Sequence, residues 1–148
     1  MKPDPSRVLF GIASTLSTQL AMEARTPFGA YLAGISAGLT STLAVEFERI
    51  IDRLNTENHA LVALVHDAKP FTSGDLRDRV SAAYTELVLP NLLLSTLVGA
   101  NDRLRALLID VHVVVEATPS EAALAMDARI WDELRESTRR RHIGIGAY

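Results

Sequence analysis

The chain has 148 residues and a net charge of −3, and 48% of its residues are apolar while only 5% are aromatic. This length predicts a single domain over residues 1–148, with a core made mostly of Leu, Val, Ile and Ala. The absence of cysteine excludes disulfides and thiolate metal sites, and the weakly acidic charge argues against nucleic-acid binding. We expect a cytoplasmic protein, and the excess of arginine over lysine is typical of bacterial proteins from GC-rich genomes.

Short capping sequences predict where the helices begin. Three dipeptides place a side-chain oxygen just before a proline at the first helical position: Asp4-Pro5, Thr26-Pro27 and Thr118-Pro119. Thr118 and Glu121 also have the spacing of a capping box, and residues 72–75 give a weaker form of the same signal. These signals predict four helical segments, at about 5–24, 27–68, 73–116 and 119–141.

The predicted fold class is all-α. Apolar residues recur every three or four positions, and no segment shows strand alternation with hairpin turns. We expect a helical bundle with two long antiparallel helices, about 27–68 and 73–116, flanked by shorter N- and C-terminal helices. Pro90 interrupts the second long helix, which is therefore kinked or split there. The tail 143–148 alternates Gly with apolar residues, and it either docks into a groove or is disordered.

The two long helices share an internal match at an offset of 43 residues, which aligns Asn58 with Asn101 and Asp67 with Asp110. This match indicates two related helical halves. Each half carries an apolar seam with heptad spacing and one asparagine. The seam residues are Ile51, Leu54, Asn58 and Leu61 in the first half, and Leu94, Leu97, Asn101, Leu104 and Leu108 in the second.

These seams predict a homo-oligomer, with a dimer favoured. A helix over 27–68 would be about 60 Å long, whereas a compact chain of this size is about 40 Å across. Either the helix breaks near residues 38–41, or a second chain covers its exposed seam. A polar residue in an apolar seam usually fixes register and partner number, so the asparagines favour the second chain.

Residues 34–38 match the G-x-S-x-G pattern of a nucleophile elbow, but that motif needs a strand before it and a helix after it. Here the pattern lies inside a predicted helix. We interpret Ala30, Gly34 and Gly38 as a ridge of small residues for close helix packing, or as space for a ligand. The uncharged stretch 26–45 is long enough to span a bilayer, but many of its residues are Gly, Ser or Thr, so we expect no membrane span.

Metal ligation and surface charge are the remaining polar signals. No histidine has an acidic residue three positions before it, which excludes the Glu-x-x-His motif of di-metal bundles. His112 and Glu116 lie one helical turn apart, and with Glu46 they are weak candidates for a metal site. We favour no metal and no cofactor. Arg53 and Glu57 are spaced for an ion pair on a solvated helix face.

No motif in the chain identifies a family or a reaction. We expect a non-catalytic helical-bundle protein that acts through self-association or through an unidentified protein partner. The alternative is a bundle that binds a small molecule or a metal, including an enzyme whose reaction the sequence does not indicate. We expect neither a nucleic acid nor a membrane as partner.

Overall fold

The structure is a computed structural model that describes residues 4–89 and 91–142. Its α-helices are α1 (Pro5–Thr15), α2 (Ala21–Glu23), α3 (Pro27–Asp67), α4 (Gly74–Ala82), α5 (Leu94–Glu116) and α6 (Glu121–Arg141). A π-helical stretch, Leu16–Leu20, connects α1 to α2, and two 3₁₀ turns, Lys69–Phe71 and Ala83–Leu87, flank α4. Among the described residues there is no strand, which confirms the predicted all-α helical class.

Contacts divide the chain into two compact units. The N-terminal unit contains α1, α2 and α3 as far as Ile50, and the C-terminal unit runs from Ile51 to His142. The single domain over residues 1–148 stays a prediction. The tail 143–148, predicted either to dock or to be disordered, lies outside the described residues.

Two of the three predicted capping residues cap the expected helices. Asp4 Oδ1 accepts hydrogen bonds from the backbone N–H groups of Ser6 at 3.1 Å and Arg7 at 3.4 Å, at the start of α1. Thr26 Oγ1 accepts a hydrogen bond from the N–H of Gly29 at 3.0 Å, at the start of α3. Both bonds satisfy N–H groups that have no partner within the helix.

The third helix start differs from the prediction. α6 begins at Glu121, and Ser120 is its cap, because Ser120 Oγ accepts a hydrogen bond from the N–H of Ala123 at 3.1 Å. The predicted cap, Thr118, donates its hydroxyl proton to the carbonyl of Val114 at 2.8 Å. The hydroxyl of Thr118 therefore binds a carbonyl of the last turn of α5 and does not cap the first turn of α6.

The predicted long helix over 73–116 is split. α4 ends at Ala82, a 3₁₀ turn follows, and α5 begins only at Leu94. Pro90, the predicted cause of the break, lies outside the described residues, but the helix is interrupted on both sides of it. In contrast, α3 continues through residues 38–41 as one helix of 41 residues.

The C-terminal unit encloses an aliphatic core between the second part of α3, α4, α5 and α6. Its largest fully buried apolar side chains include Leu97, Leu104, Val111, Val115 and Ile130. Seven of the nine predicted seam residues are buried within this unit: Leu54, Asn58, Leu61, Leu97, Asn101, Leu104 and Leu108. Ile51 and Leu94 remain exposed. The chain itself therefore covers most of the predicted seams, and no second chain is needed to bury them.

The cap of α6 gives a first prediction. Replacing Ser120 by Ala removes the oxygen that accepts the N–H of Ala123, so the free energy of unfolding should fall by about 1 kcal/mol. Thr118→Val is the comparison, because it removes a hydroxyl that the sequence assigns to the same role. Urea denaturation of both variants checks this, and a larger loss for Thr118→Val than for Ser120→Ala would contradict the observed cap.

Candidate functional site

Glu57 is the most unusual residue of the C-terminal unit, because its carboxylate is completely shielded from solvent (0% exposed). It lies three positions after Leu54 and four before Leu61, so it shares the buried stripe of α3 with these two leucines. The sequence prediction of a solvated face carrying an Arg53–Glu57 pair is therefore wrong for Glu57.

Five hydrogen bonds from α5 and α6 replace the water that Glu57 loses on burial. Arg141 donates from Nε to Oε1 at 3.2 Å and from Nη2 to Oε2 at 2.9 Å. Ser137 Oγ donates to Oε1 at 3.0 Å, and Arg105 Nη2 donates to Oε2 at 3.2 Å. Asn101 Nδ2 completes the set at 3.3 Å from Oε2. A carboxylate offers about four lone-pair positions, so protein donors occupy its whole accepting capacity.

These donors hold Glu57 in its ionised form. Burial by itself would raise the pKa of Glu57, but hydrogen bonds from Arg141 and Ser137, the positive charge of Arg141 and the hydrogen bond from Arg105 together lower its pKa from 4.5 to about 2. A carboxylate with this pKa is a poor proton acceptor at neutral pH. Glu57 is therefore suited to fixing the positions of three helices and not to general acid–base catalysis.

The two seam asparagines meet inside the same chain, next to Glu57. Asn101 Nδ2 donates to Asn58 Oδ1 at 2.9 Å, and Asn58 Nδ2 donates to the carbonyl of Leu97 at 3.2 Å. Asn101 Oδ1 accepts from Arg105 Nε at 2.9 Å. Positions that the internal match aligns are thus direct partners across α3 and α5, and they fix the register of these helices within one chain.

The N-terminal unit has a different character, because the buried side chains among its described residues are all small: Ser6, Ala13, Ala37 and Ala44. The hydroxyl of Ser6 on α1 donates a hydrogen bond to the carboxylate of Glu48 on α3, and this bond connects the two helices. The described buried positions of this unit hold only these small side chains. The large apolar side chains of this unit are consequently exposed.

Those exposed side chains form continuous rows on both helices. The α3 stripe consists of Phe28, Leu32, Ile35, Leu39 and Leu43, whose spacing places them on one side of the helix. Each of these side chains is between 42% and 67% exposed. Along α1 and the π-helical stretch that follows it, a shallow apolar groove is lined by Val8, Gly11, Ile12, Thr15, Leu16 and Leu20.

The predicted ridge of small residues borders the α3 stripe. Gly34 and Gly38 directly precede Ile35 and Leu39, and a side chain added at either glycine would meet no atom within 4 Å. No helix of the described chain therefore packs closely against these glycines. Ala30, the third residue of the ridge, is half-buried.

Of the three weak metal candidates, the structure brings two together. His112 Nε2 lies 3.6 Å from Glu116 Oε1 in the C-terminal unit, whereas Glu46 belongs to the N-terminal unit. A carboxylate that the sequence analysis did not consider, Asp127 of α6, lies beside the pair, with Oδ1 2.6 Å from His112 Nε2.

Comparison with known proteins gives no relative: no family model, curated protein or solved structure matches the chain. Membrane propensity is limited to one described helix, since only α3 is long and apolar enough to cross a bilayer. Its best 18-residue window has a mean hydropathy of 1.4, and 11% of that window is buried. The function is therefore inferred from the geometry of the two units alone.

The buried carboxylate makes stability depend on pH in a defined direction. Because the pKa of Glu57 is lower in the folded chain than in the unfolded chain, its contribution is complete above about pH 5 and is lost as the pH falls towards about 2. Glu57→Gln should lower the free energy of unfolding at pH 7 by on the order of 3 kcal/mol. Its difference from the unsubstituted chain should shrink between pH 5 and pH 3 in urea denaturation.

The control for this prediction is Glu136→Gln, which removes an exposed carboxylate paired with Arg139 at 2.9 Å. A surface pair of this kind contributes less than about 1 kcal/mol, so this variant should stay close to the unsubstituted chain at every pH. A Glu57→Gln effect that is independent of pH would contradict the assignment of the ionised form.

Proposed function

We propose that this chain is a non-catalytic helical protein that acts through self-association, and that two copies pack their N-terminal units together. The observation that carries the proposal is that the N-terminal unit exposes both the α3 stripe and the apolar groove. The sequence-based expectation of a homodimer is retained, but its contact surface moves from the seams to the N-terminal unit.

The exposed apolar area is large enough for a stable dimer. Large apolar side chains each contribute roughly 150–200 Å² when fully accessible, so the nine partly exposed apolar side chains of the stripe and the groove offer on the order of 800 Å² per copy. A standard protein interface needs about 800 Å² from each partner. Two such helix pairs, packed face to face, would form a four-helix arrangement that buries the stripe of each copy.

The polar side chains of these helices are compatible with a covered surface. Thr15 donates its hydroxyl proton to the carbonyl of Gly11 at 3.1 Å, and Thr18 donates to that of Ser14 at 2.7 Å. On α3, Thr40 and Thr42 donate in the same way to Ser36 and Gly38. Since these hydroxyls are satisfied within their own helices, a second copy can cover them without leaving unpaired donors.

A second copy is favoured over a bilayer because α1 is unsuited to a membrane. The uncharged run that begins in α1 and continues into α2 extends only from Val8 to Met22, which is shorter than the roughly 20 residues needed to span the hydrocarbon layer. The run also contains the polar residues Ser14, Ser17 and Gln19, all exposed. Because α1 and α3 belong to one compact unit, α3 could enter a bilayer only together with α1, which is unsuited to it. A soluble, cytoplasmic homodimer is therefore the proposal.

A charge in the middle of the α3 stripe should separate the copies. We expect the unsubstituted chain to sediment as a dimer, and Leu39→Glu to sediment as a monomer, because a carboxylate would lose its water at the interface. Leu124→Glu is the matched control: Leu124 is also an exposed leucine, but it lies on α6 of the C-terminal unit. Sedimentation velocity should show this control as a dimer, and circular dichroism should show that both variants are folded.

Three outcomes would contradict the proposal. The first is an unsubstituted chain that stays monomeric at high micromolar concentration. The second is dissociation by Leu124→Glu but not by Leu39→Glu. The third is co-sedimentation of the unsubstituted chain with neutral phosphatidylcholine vesicles that Leu39→Glu abolishes, which would identify the α3 stripe as a membrane-binding surface.

A further inference from the structure

We propose that His112, Glu116 and Asp127 form a binding site for a divalent transition metal of the Zn²⁺ class. One potential ligand atom from each residue lies within 4.8 Å of the other two. All three residues belong to the C-terminal unit, so this site is independent of the proposed self-association. The sequence-based expectation of no metal is untested by the structure, and the arrangement of these side chains favours the opposite conclusion.

The geometry around His112 suits a cation that can bind several ligands at once. Two carboxylates converge on the same ring nitrogen: Asp127 Oδ1 lies 2.6 Å from Nε2, and Glu116 Oε1 lies 3.6 Å from it. A single proton on Nε2 can form one good hydrogen bond, and 3.6 Å is too long for a second. A metal ion bound to Nε2 can coordinate both carboxylates at once.

The distances are close to those of a tetrahedral site. With metal–ligand bonds of about 2.0–2.2 Å, neighbouring ligand atoms in a tetrahedral zinc site lie roughly 3.3 Å apart. The two observed separations from Nε2 lie on either side of this value. Each of the two separations differs from this value by less than 1 Å, which is within the reach of side-chain rotation.

The donor set selects the class of metal. An imidazole nitrogen with two carboxylate oxygens is suited to Zn²⁺ and to similar first-row ions, whereas Ca²⁺ and Mg²⁺ prefer six or more oxygen ligands. Three protein ligands leave one tetrahedral position open for water or a bound molecule.

The surroundings of His112 restrict its ring. Only 16% of the side chain is exposed, and its ring packs edge-to-face against Trp131 with the ring centroids 5.5 Å apart. Glu116 lies one turn later on α5, and Asp127 projects from the neighbouring α6. Ligands on two packed helices are held more accurately than ligands on loops. His112 also lines a cavity of about 160 Å³ with Leu108, Ile109 and Ile130, which leaves space beside the imidazole.

Zn²⁺ titration of the tag-free full-length chain tests this site. Isothermal titration calorimetry at pH 7.5 should show one Zn²⁺ per chain. Loss of an outer-shell partner alone typically weakens metal binding 10–100-fold, so His112→Ala and Asp127→Asn should each weaken it by at least about 100-fold. Bound Zn²⁺ should also raise the melting temperature of the unsubstituted chain and not that of the two variants.

His59→Ala is the matched control, because His59 is an exposed histidine of α3 whose Nδ1 lies 2.8 Å from the carbonyl of Asn55. It should bind Zn²⁺ with unchanged affinity. Asp127→Asn keeps the size of the side chain, so circular dichroism should show a folded protein whatever happens to His112→Ala. Absence of Zn²⁺ binding by the unsubstituted chain, or unchanged affinity in either ligand variant, would overturn the proposal.

Discussion

A carboxylate that is removed from water must recover its hydrogen bonds from the protein, and Glu57 imposes this constraint on the whole C-terminal unit. Its partners come from two helices, with Arg105 on α5 and Ser137 and Arg141 on α6. Helix packing alone tolerates sliding by a turn, but a buried charge does not, because sliding would leave it without donors. The network therefore favours the one register of the three helices in which these donors reach Glu57.

The N-terminal unit lacks such a constraint, and this difference suggests how the chain works. Among its described residues the buried side chains are all small, while its large apolar side chains lie on the outside. The C-terminal unit thus buries its apolar core within a single chain, whereas the N-terminal unit has an apolar surface that a second copy could cover. A long α3 that runs through both units would connect a self-contained bundle to an assembly surface.

Local sequence signals made the helical class and several helix boundaries predictable. Asp4 and Thr26 cap helices because the capping bond needs only neighbouring residues. Seven of the nine seam residues are buried as their periodicity implies, but periodicity does not reveal which surface covers them. For Thr118, the carbonyl of Val114 competed for the hydroxyl, and that carbonyl is available only once α5 has formed.

The site residues were harder to predict because they depend on contacts between distant parts of the chain. Glu57 follows the spacing of the buried leucines, which was an available signal, but a single charge in a mixed charge run is normally solvated. Arg141 lies 84 residues away, and nothing local shows that it turns inward. Asp127 could not be predicted as a partner of His112, because the two residues lie on different helices and helical periodicity relates only residues of one helix.

Hydrogen–deuterium exchange as a function of protein concentration tests the central claim most directly, since it reports on both units at once. The account predicts that amides of residues 5–50 become more protected as the concentration rises, because a second copy covers α1 and the first part of α3. It predicts that the α5 and α6 amides are protected equally at every concentration, because that unit is closed within one chain. Protection of residues 5–50 that does not change with concentration, or protection of α5 and α6 that does, would contradict it.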